Sequence, residues 1–363
     1  MIPYFVIFGL LMFFSLLDIL DGGKELKMRV FFFFFCVFFF FAAFRCGDQD
    51  YQNYVMAFKE VVYVNVLDAE DMEGMGLYYM EPGFRILNKI ISYFTSNPFW
   101  VIATAAFIAL SLNFRCYQKY SPYVLLTLLL YFCHTFLLRE MIQIRSGIAC
   151  AICLSTIPLI ERKEWGAFML AVALAGMFHT ISWAFLMVYP FYWLRFNRMT
   201  LTTLIGFCLV IAFVFPFGKL LSLLPSIPLF EKIMIYINDT DHNQTVGVFT
   251  NPVVLKLLAV SGVGLFFYEE LCAYSKHFRL LFNMLIIGTC WLLVFNDFSI
   301  VAARVATLFT VSEVIIIPMF LVILENNFFH KLVYWGVLCC YTFMTLFLNL
   351  YVENVLPYRL SLF

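Results

Sequence analysis

Residues 28–44 read MRVFFFFFCVFFFFAAF, an apolar run broken only by Arg29 near its start. As a helix rising about 1.5 Å per residue, it covers most of the roughly 30 Å of hydrocarbon in a bilayer. Backbone amides find no water there, so a helix, whose hydrogen bonds close within the segment, is the expected form. The phenylalanines at 31–35 and 38–41 read as lipid-facing bulk rather than as a binding box.

The rest of the chain repeats this pattern. Of 363 residues, 64% are apolar and 13% charged, and the mean hydropathy is +0.92. Soluble domains run to about half apolar and about a quarter charged. Further apolar runs lie at about 2–17, 98–114, 122–138, 200–217, 253–268, 280–296, 305–324 and 332–350, and a run at 142–160 carries Arg145 near its start. The stretch 165–194 is too long for one span and short for two, and a break at His179-Thr180 divides it into two compact helices. The expected fold is all-α: a polytopic transmembrane helical bundle of about twelve spans. It forms a single integral membrane domain over 1–363, with long external loops at 45–97 and 218–252. Met1–Leu17 lacks a basic segment and a small-residue cleavage site, so it is expected to remain as the first span. Net charge is zero, which argues against nucleic acid as a partner. The 11 cysteines are scattered through apolar runs without metal-like spacing and read as small hydrophobes, with no disulfide expected.

Basic residues of short loops set the orientation. Lys24, Lys27 and Arg29 follow the first span, which places that loop in the cytoplasm and the N-terminus outside. Counting onward, Arg115/Lys119, Arg162/Lys163, Arg195/Arg198, Lys276/Arg279 and Lys331 all fall inside, in phase only if the chain breaks at His179. Arg45, Arg85, Arg139, Arg145 and Arg304 then stand at external span ends, on the side where the positive-inside rule does not put them. A guanidinium is a planar fork suited to paired oxygens of phosphate or carboxylate. A set of outward-facing arginines therefore points to an anionic headgroup such as a lipid diphosphate. Alternatively, they pair with Asp48, Glu81, Glu140 or Asp297 to hold helices together.

The segment from Phe44-Arg45 through Asp50-Tyr51 to Tyr54 resembles the Arg-x-x-x-x-Asp-Tyr-x-x-Tyr element after the second span of the EpsG family of Wzy-like polysaccharide polymerases. Glu81-Pro82-Gly83-Phe84 looks like that family's Glu-x-Gly-Phe element. Arg145-Ser146-Gly147-Ile148-Ala149 resembles its Arg-x-x-Ile-Ala helix start. Phe178-His179-Thr180-Ile181-Ser182 is similar to its His-x-Ser break, with one residue inserted. Arg304 before the helix with Pro318, and the closing Leu356-Pro357-Tyr358-Arg359, complete the order. The resemblance implies an enzyme that transfers a growing glycan from polyprenyl diphosphate onto the next lipid-linked repeat unit. This would occur at the outer face of a bacterial cytoplasmic membrane. It implies polyprenyl-diphosphate-linked oligosaccharide and membrane lipid as partners, with flippase and chain-length regulator proteins as candidates beside them.

Transfer from a diphosphate needs the leaving charge stabilised and the acceptor hydroxyl positioned or deprotonated. Positive charge matters more than an acid, because the leaving group is already good. That charge is assigned to Arg145 and Arg304, with Arg139 in support; on a straight helix Arg139 and Arg145 would point about 120° apart. Asp48-Gln49-Asp50 is open to three readings: the cap and acidic first turn of a helix carrying Tyr51 and Tyr54, an acceptor-activating or sugar-binding group, or a metal site. Neither metal nor cofactor is expected, since no third ligand lies nearby in the chain. Glu81 is either a turn residue or functional, and His179 is either a base or a helix-end histidine bonded to backbone. Tyr51 and Tyr54 are placed as sugar contacts beside Arg45 and Asp48, although interfacial aromatics are routine. Other classes compatible with these residues are a flippase or transporter of the same lipid-linked sugars, and a membrane glycosyltransferase or acyltransferase that modifies the glycan.

Overall fold

A computed structural model of the chain describes residues 1–47, 50–66, 68, 72, 74–215, 246–324, 327–351 and 355–360. The helices in chain order begin with α1 (Ile2–Ile19), α2 (Lys24–Ala43), α3 (Tyr51–Glu60), α4 (Pro82–Ser92) and α5 (Phe99–Tyr120). Then come α6 (Val124–Tyr131), α7 (Ile144–Ser155), α8 (Ile157–Glu161), α9 (Trp165–Phe178), α10 (Val188–Trp193) and α11 (Arg198–Val214). Beyond them lie α12 (Pro252–Phe266), α13 (Tyr268–Tyr274), α14 (Phe278–Val294), α15 (Ser299–Thr310), α16 (Glu313–Met319) and α17 (Phe328–Tyr351). Two short strands, β1 (Arg45–Cys46) and β2 (Arg359–Leu360), pair antiparallel.

Six helical stretches among the described residues are long and apolar enough to cross a bilayer: Ile2–Ile19, Lys24–Ala43, Phe99–Tyr120, Val124–Ile142, Ile144–Glu161 and Phe328–Tyr351. The count is eight if each of two bent pairs is one span, α12 with α13 at 74° and Val301–Thr310 with Glu313–Leu324 at 49°. The apolar helices α9, α11 and α14 have 14, 17 and 17 residues, short of spanning length. The all-α polytopic class therefore holds, while the expected number of about twelve is not reached by length and apolarity alone.

Contacts divide the chain into two compact units, residues 1–183 with 324–363, and residues 184–323. In the first unit, α2 does not present its phenylalanines only to lipid. Phe31, Phe34, Phe38 and Phe41 recur at helical spacing and are buried, whereas Phe32, Phe33 and Phe40 are exposed. Phe38 packs on Phe132 and Phe136 at ring separations of 5.6 and 4.7 Å, and Phe31 on Phe114 at 4.8 Å. A uniform phenylalanine run gives no amphipathic signal, so only the neighbouring helices decide which face turns inward.

The start of α6 has no side-chain cap of its own. Its orphan amides are met from α1 instead: Leu125 and Leu126 N–H donate to Asp18 Oδ2 at 2.8 and 3.0 Å, and Lys27 Nζ lies 3.6 Å from Oδ1. Asp18 is fully buried, so this carboxylate joins α1, α2 and α6 at one point. Asp18→Ala should leave two buried N–H groups and one ammonium uncompensated, a loss of about 3 kcal/mol. A drop of several degrees in the unfolding temperature of the detergent-solubilised protein checks this; an unchanged midpoint would mean that water replaces the carboxylate.

The described residues of 45–97 include two helices. Helices α3 and α4 and a 3₁₀ turn at Gly76–Tyr79 close an apolar cluster of Tyr54, Phe58, Val61, Leu77 and Phe84 over Val101, Ala105, Ile144 and Ile148. Lys89 Nζ caps the end of α3 through the carbonyls of Val61 (3.0 Å), Val62 (3.3 Å) and Val64 (3.1 Å). Glu60 in turn accepts from Leu77 N–H at 3.0 Å. Of the second expected loop, 218–245 lies outside the described residues. Its described remainder turns through Gly247 at φ +76° and enters α12, which Asn251 caps by accepting from Val253 N–H at 2.8 Å.

In the second unit, Lys256 on α12 and the buried Glu313 at the start of α16 form a partly buried ion pair, Nζ to Oε1 2.7 Å. Each is a charge inside an apolar run, and their pairing offsets a burial that neither would sustain alone.

Candidate functional site

The site is organised by a discontinuity. From Phe132 to Ile142 the chain that began as α6 widens into a π-helix, whose last bond runs from Gln143 N–H to Leu138 C=O at 2.8 Å. Gln143 leaves helical geometry (φ −95°, ψ 58°), and α7 starts afresh at Ile144. Asn349 of α17 meets one carbonyl along the widened stretch, donating to Cys133 C=O at 2.7 Å. Arg139 and Arg145 thus lie on either side of a break, and the 120° separation of a straight helix does not apply. The Arg139 guanidinium donates to Ser146 Oγ, the residue after Arg145.

Arg145 occupies the second position of α7, where the helix dipole disfavours a cation. Glu81 offsets this. It precedes Pro82 at the N-cap of α4, but its carboxylate does not cap that helix and instead pairs with Arg145. Gly83 lets the segment in: a Cβ there would lie 2.9 Å from the Met177 backbone near the end of α9. The third member is Tyr54, whose hydroxyl donates to Ile142 C=O at 3.2 Å with the Arg145 charge nearby. Burial raises the Tyr54 phenol above its usual range, against the lowering effect of nearby Arg145, so it stays a neutral donor at physiological pH. Its ring is buried against Phe84. The Arg145 side chain keeps 27% of its surface exposed, against 10% for Glu81. It is held by Glu81, with donors left over for oxygens arriving from outside.

Arg45 stands two residues past the end of α2 and is 2% exposed. Burial lowers its guanidinium to about 10, countered by Tyr54, Tyr4, Asp50 and Tyr358, and it remains cationic at neutral pH. Asp50 sits at the N-cap position of α3, yet its side chain makes no capping bond to that helix, so the capping reading does not describe it. Tyr51 is half-buried at the start of α3. Arg45, Asp50 and Arg145 thus each act on Tyr54, Glu81 pairs with Arg145, and Arg139 is tied to the same helix start.

Other expected residues are placed differently. Asp48 lies outside the described residues. His179 ends α9 in an extended conformation where the break was expected, and its Nδ1 accepts from Ile181 N–H at 3.4 Å, the helix-end arrangement. Arg304 is exposed on α15 and belongs to the second unit.

Sequence reading offered Glu140 only as a possible arginine partner and passed over the Asn113 and Tyr131 that hold it. Glu140 is buried, and its Oε1 accepts from Tyr131 Oη at 2.6 Å and Asn113 Nδ2 at 2.8 Å. Its other oxygen faces Gly147, whose missing Cβ would stand 2.7 Å from Arg139 C=O. A carboxylate and an asparagine within apolar runs are the signal that would have found them.

The EpsG family model matches residues 28–360. Amylovoran biosynthesis protein AmsC of Erwinia amylovora is 26% identical over 259 residues, which cover 70% of this chain and 68% of that protein. No solved structure matches significantly.

Proposed function

The chain belongs to the EpsG family, and on that premise we propose that it is a polysaccharide polymerase of the Wzy-like type. It acts on polyprenyl-diphosphate-linked oligosaccharide at the outer face of the bacterial cytoplasmic membrane. The observation that carries this reading is the cluster of Arg145, Glu81 and Tyr54 beside Arg45, built at a helix start and partly open. The likeness to a protein of amylovoran biosynthesis supports the substrate class.

In the proposed reaction the bond between the anomeric carbon of the growing glycan and its diphosphate oxygen breaks. The electron pair leaves with polyprenyl diphosphate, and a hydroxyl of the next repeat unit bonds to the anomeric carbon. Arg145 binds the departing diphosphate, with Arg139 near it; Arg304 is the second arginine proposed to carry positive charge for the reaction. The hydroxyl proton passes to the Asp50 carboxylate, since Glu81 is paired with Arg145 and acts through it; His179 and Asp48 are further candidates for the acceptor side. Tyr51 and Arg45 orient the substrate, while Tyr54 positions Arg145. No cofactor enters this scheme. The chain acts as one membrane domain of about twelve spans with its N-terminus outside, reached by counting α9, α11, α14 and the segment after His179 as compact spans. Flippase and chain-length regulator proteins are its functional neighbours.

Deletion of the protein should leave single repeat units, on carrier lipid or transferred singly to the final acceptor, while long chains vanish on electrophoresis. Units trapped at the inner face, inaccessible to added glycosidase, would instead mark a flippase. Long chains of normal length lacking one ester would mark an acyltransferase. Chains of unchanged length distribution in a strain without a second polymerase would overturn the proposal.

A further inference from the structure

Tyr131 and Glu140 bracket the widened stretch between α6 and α7. Tyr131 is the last residue of α6, and Glu140 lies near the end of the π-helix that follows, nine positions on. On an α-helix nine residues make about two and a half turns, so the two side chains would leave from opposite sides. The i→i+5 bonding of a π-helix turns less per residue and brings them onto one side. There the Tyr131 hydroxyl donates to Glu140 Oε1 at 2.6 Å. Asn113, on α5, closes the triangle: its Nδ2 donates to Glu140 Oε1 at 2.8 Å and to Tyr131 Oη at 3.2 Å. All three side chains are buried. The other carboxylate oxygen, Oε2, is buried with no hydrogen-bond partner among the described residues, and a Cβ on Gly147 would stand 3.6 Å from it.

We propose that Glu140 is a positioning residue: bonded to Tyr131 and Asn113, it holds residues 132–142 in the π form and so sets where Arg139 and Arg145 stand. The Tyr131–Glu140 bond fits the widened form and not a continuous α-helix, so forming it selects between the two. The widened form is also what ends at Gln143 and lets α7 start afresh, with Arg139 before the break bonded to Ser146 and Arg145 just after it. A buried carboxylate adds little net stability, because its desolvation offsets its bonds; what it contributes here is the choice of conformation. The catalytic consequence rests on the proposed function, whereas the selection of the π form does not.

The test compares chain extension in proteoliposomes with the unfolding temperature of the same purified full chain. Glu140→Leu removes the acceptor and leaves Asn113 and Tyr131 to bond each other. It should lower the extension rate by about 100-fold, by displacing the arginines, at an unfolding temperature equal to or above wild type. Glu140→Gln keeps the acceptor oxygen and should hold the rate within about fivefold; Glu140→Asp, one methylene short, should not. Arg139→Lys should slow the wild-type chain but add little in Glu140→Leu, where Arg139 is already displaced. In Asp18→Ala, a destabilised control, the effect of Arg139→Lys should be undiminished. Amide exchange at Gln143, exposed at the break, is read without substrate and should be faster in Glu140→Leu. A wild-type rate in Glu140→Leu, a rate lost only in step with the unfolding temperature, or unchanged exchange at Gln143 would each overturn the proposal. If Glu140→Leu does not accumulate, Tyr131→Phe replaces it, with a loss of about tenfold expected and the same outcomes deciding. A wild-type chain that extends nothing would sink the polymerase reading instead, and exchange at Gln143 would still decide whether Glu140 holds the π form.

Discussion

Arg145→Lys is expected to lower the rate of chain extension in proteoliposomes by about 10²–10³-fold while the protein still accumulates in the membrane. The Arg145 guanidinium is already paired with Glu81, and its planar fork can serve that carboxylate and still present N–H groups outward. An ammonium is a point charge with three donors on a thinner stem. Drawn to Glu81, it cannot also span a pair of phosphate oxygens. Folding and chemistry are separated by Glu81→Gln, which keeps an acceptor beside Arg145 but removes its charge. That variant should lose less activity than Arg145→Lys, because the guanidinium survives. Full activity in Arg145→Lys would remove Arg145 from the anion site and leave it as a helix tie with Glu81.

Gly147→Ala should be nearly as damaging, although one methyl group is added and no charge changes. The new Cβ would meet the Arg139 carbonyl oxygen at 2.7 Å and its carbon at 3.1 Å, and both are backbone atoms that no rotamer change can move. Either the end of the π-helix or the start of α7 must shift, at about 1–3 kcal/mol. Arg145 lies two residues away, and a displacement near 1 Å at a reacting group can lower a rate by about 100-fold. Gly9→Ala is the control: nothing lies within 4 Å of that position, so extension rate and unfolding temperature should be unchanged or slightly improved. Wild-type extension rates in Gly147→Ala would show that the break at Gln143 adapts freely and does not set the geometry of Arg145.

Residues 45–97 show where sequence reading loses resolution. Helix α3 is 10 residues long and α4 is 11, neither apolar enough to register as a span, and their buried members become a core only when α5 and α7 supply the other side. Tyr54 illustrates the consequence. From the sequence it is an aromatic at an interface, equally suited to stacking on sugar. In the structure its ring is inside and only its hydroxyl has work, between Arg145 and the Ile142 carbonyl. Asp50 occupies a cap position by sequence, yet its side chain forms no cap bond to α3.

What the sequence determined by itself is the membrane character and the places where helices cross or break. A long apolar run has one favourable state in hydrocarbon, since its own backbone is the only hydrogen-bonding partner available. Ile2–Ile19, Lys24–Ala43 and Phe328–Tyr351 needed no tertiary information, and neither did the interruption at His179. The tertiary structure alone decided which face of the phenylalanine run turns inward and that the π-helix ends at Gln143. It also decided that Glu81 is spent on Arg145, and that Arg359 returns to Arg45 from the far end of the chain. Each of these depends on a contact between segments distant in sequence, and the energy of such a contact is set by fit and desolvation that no local pattern of residues encodes.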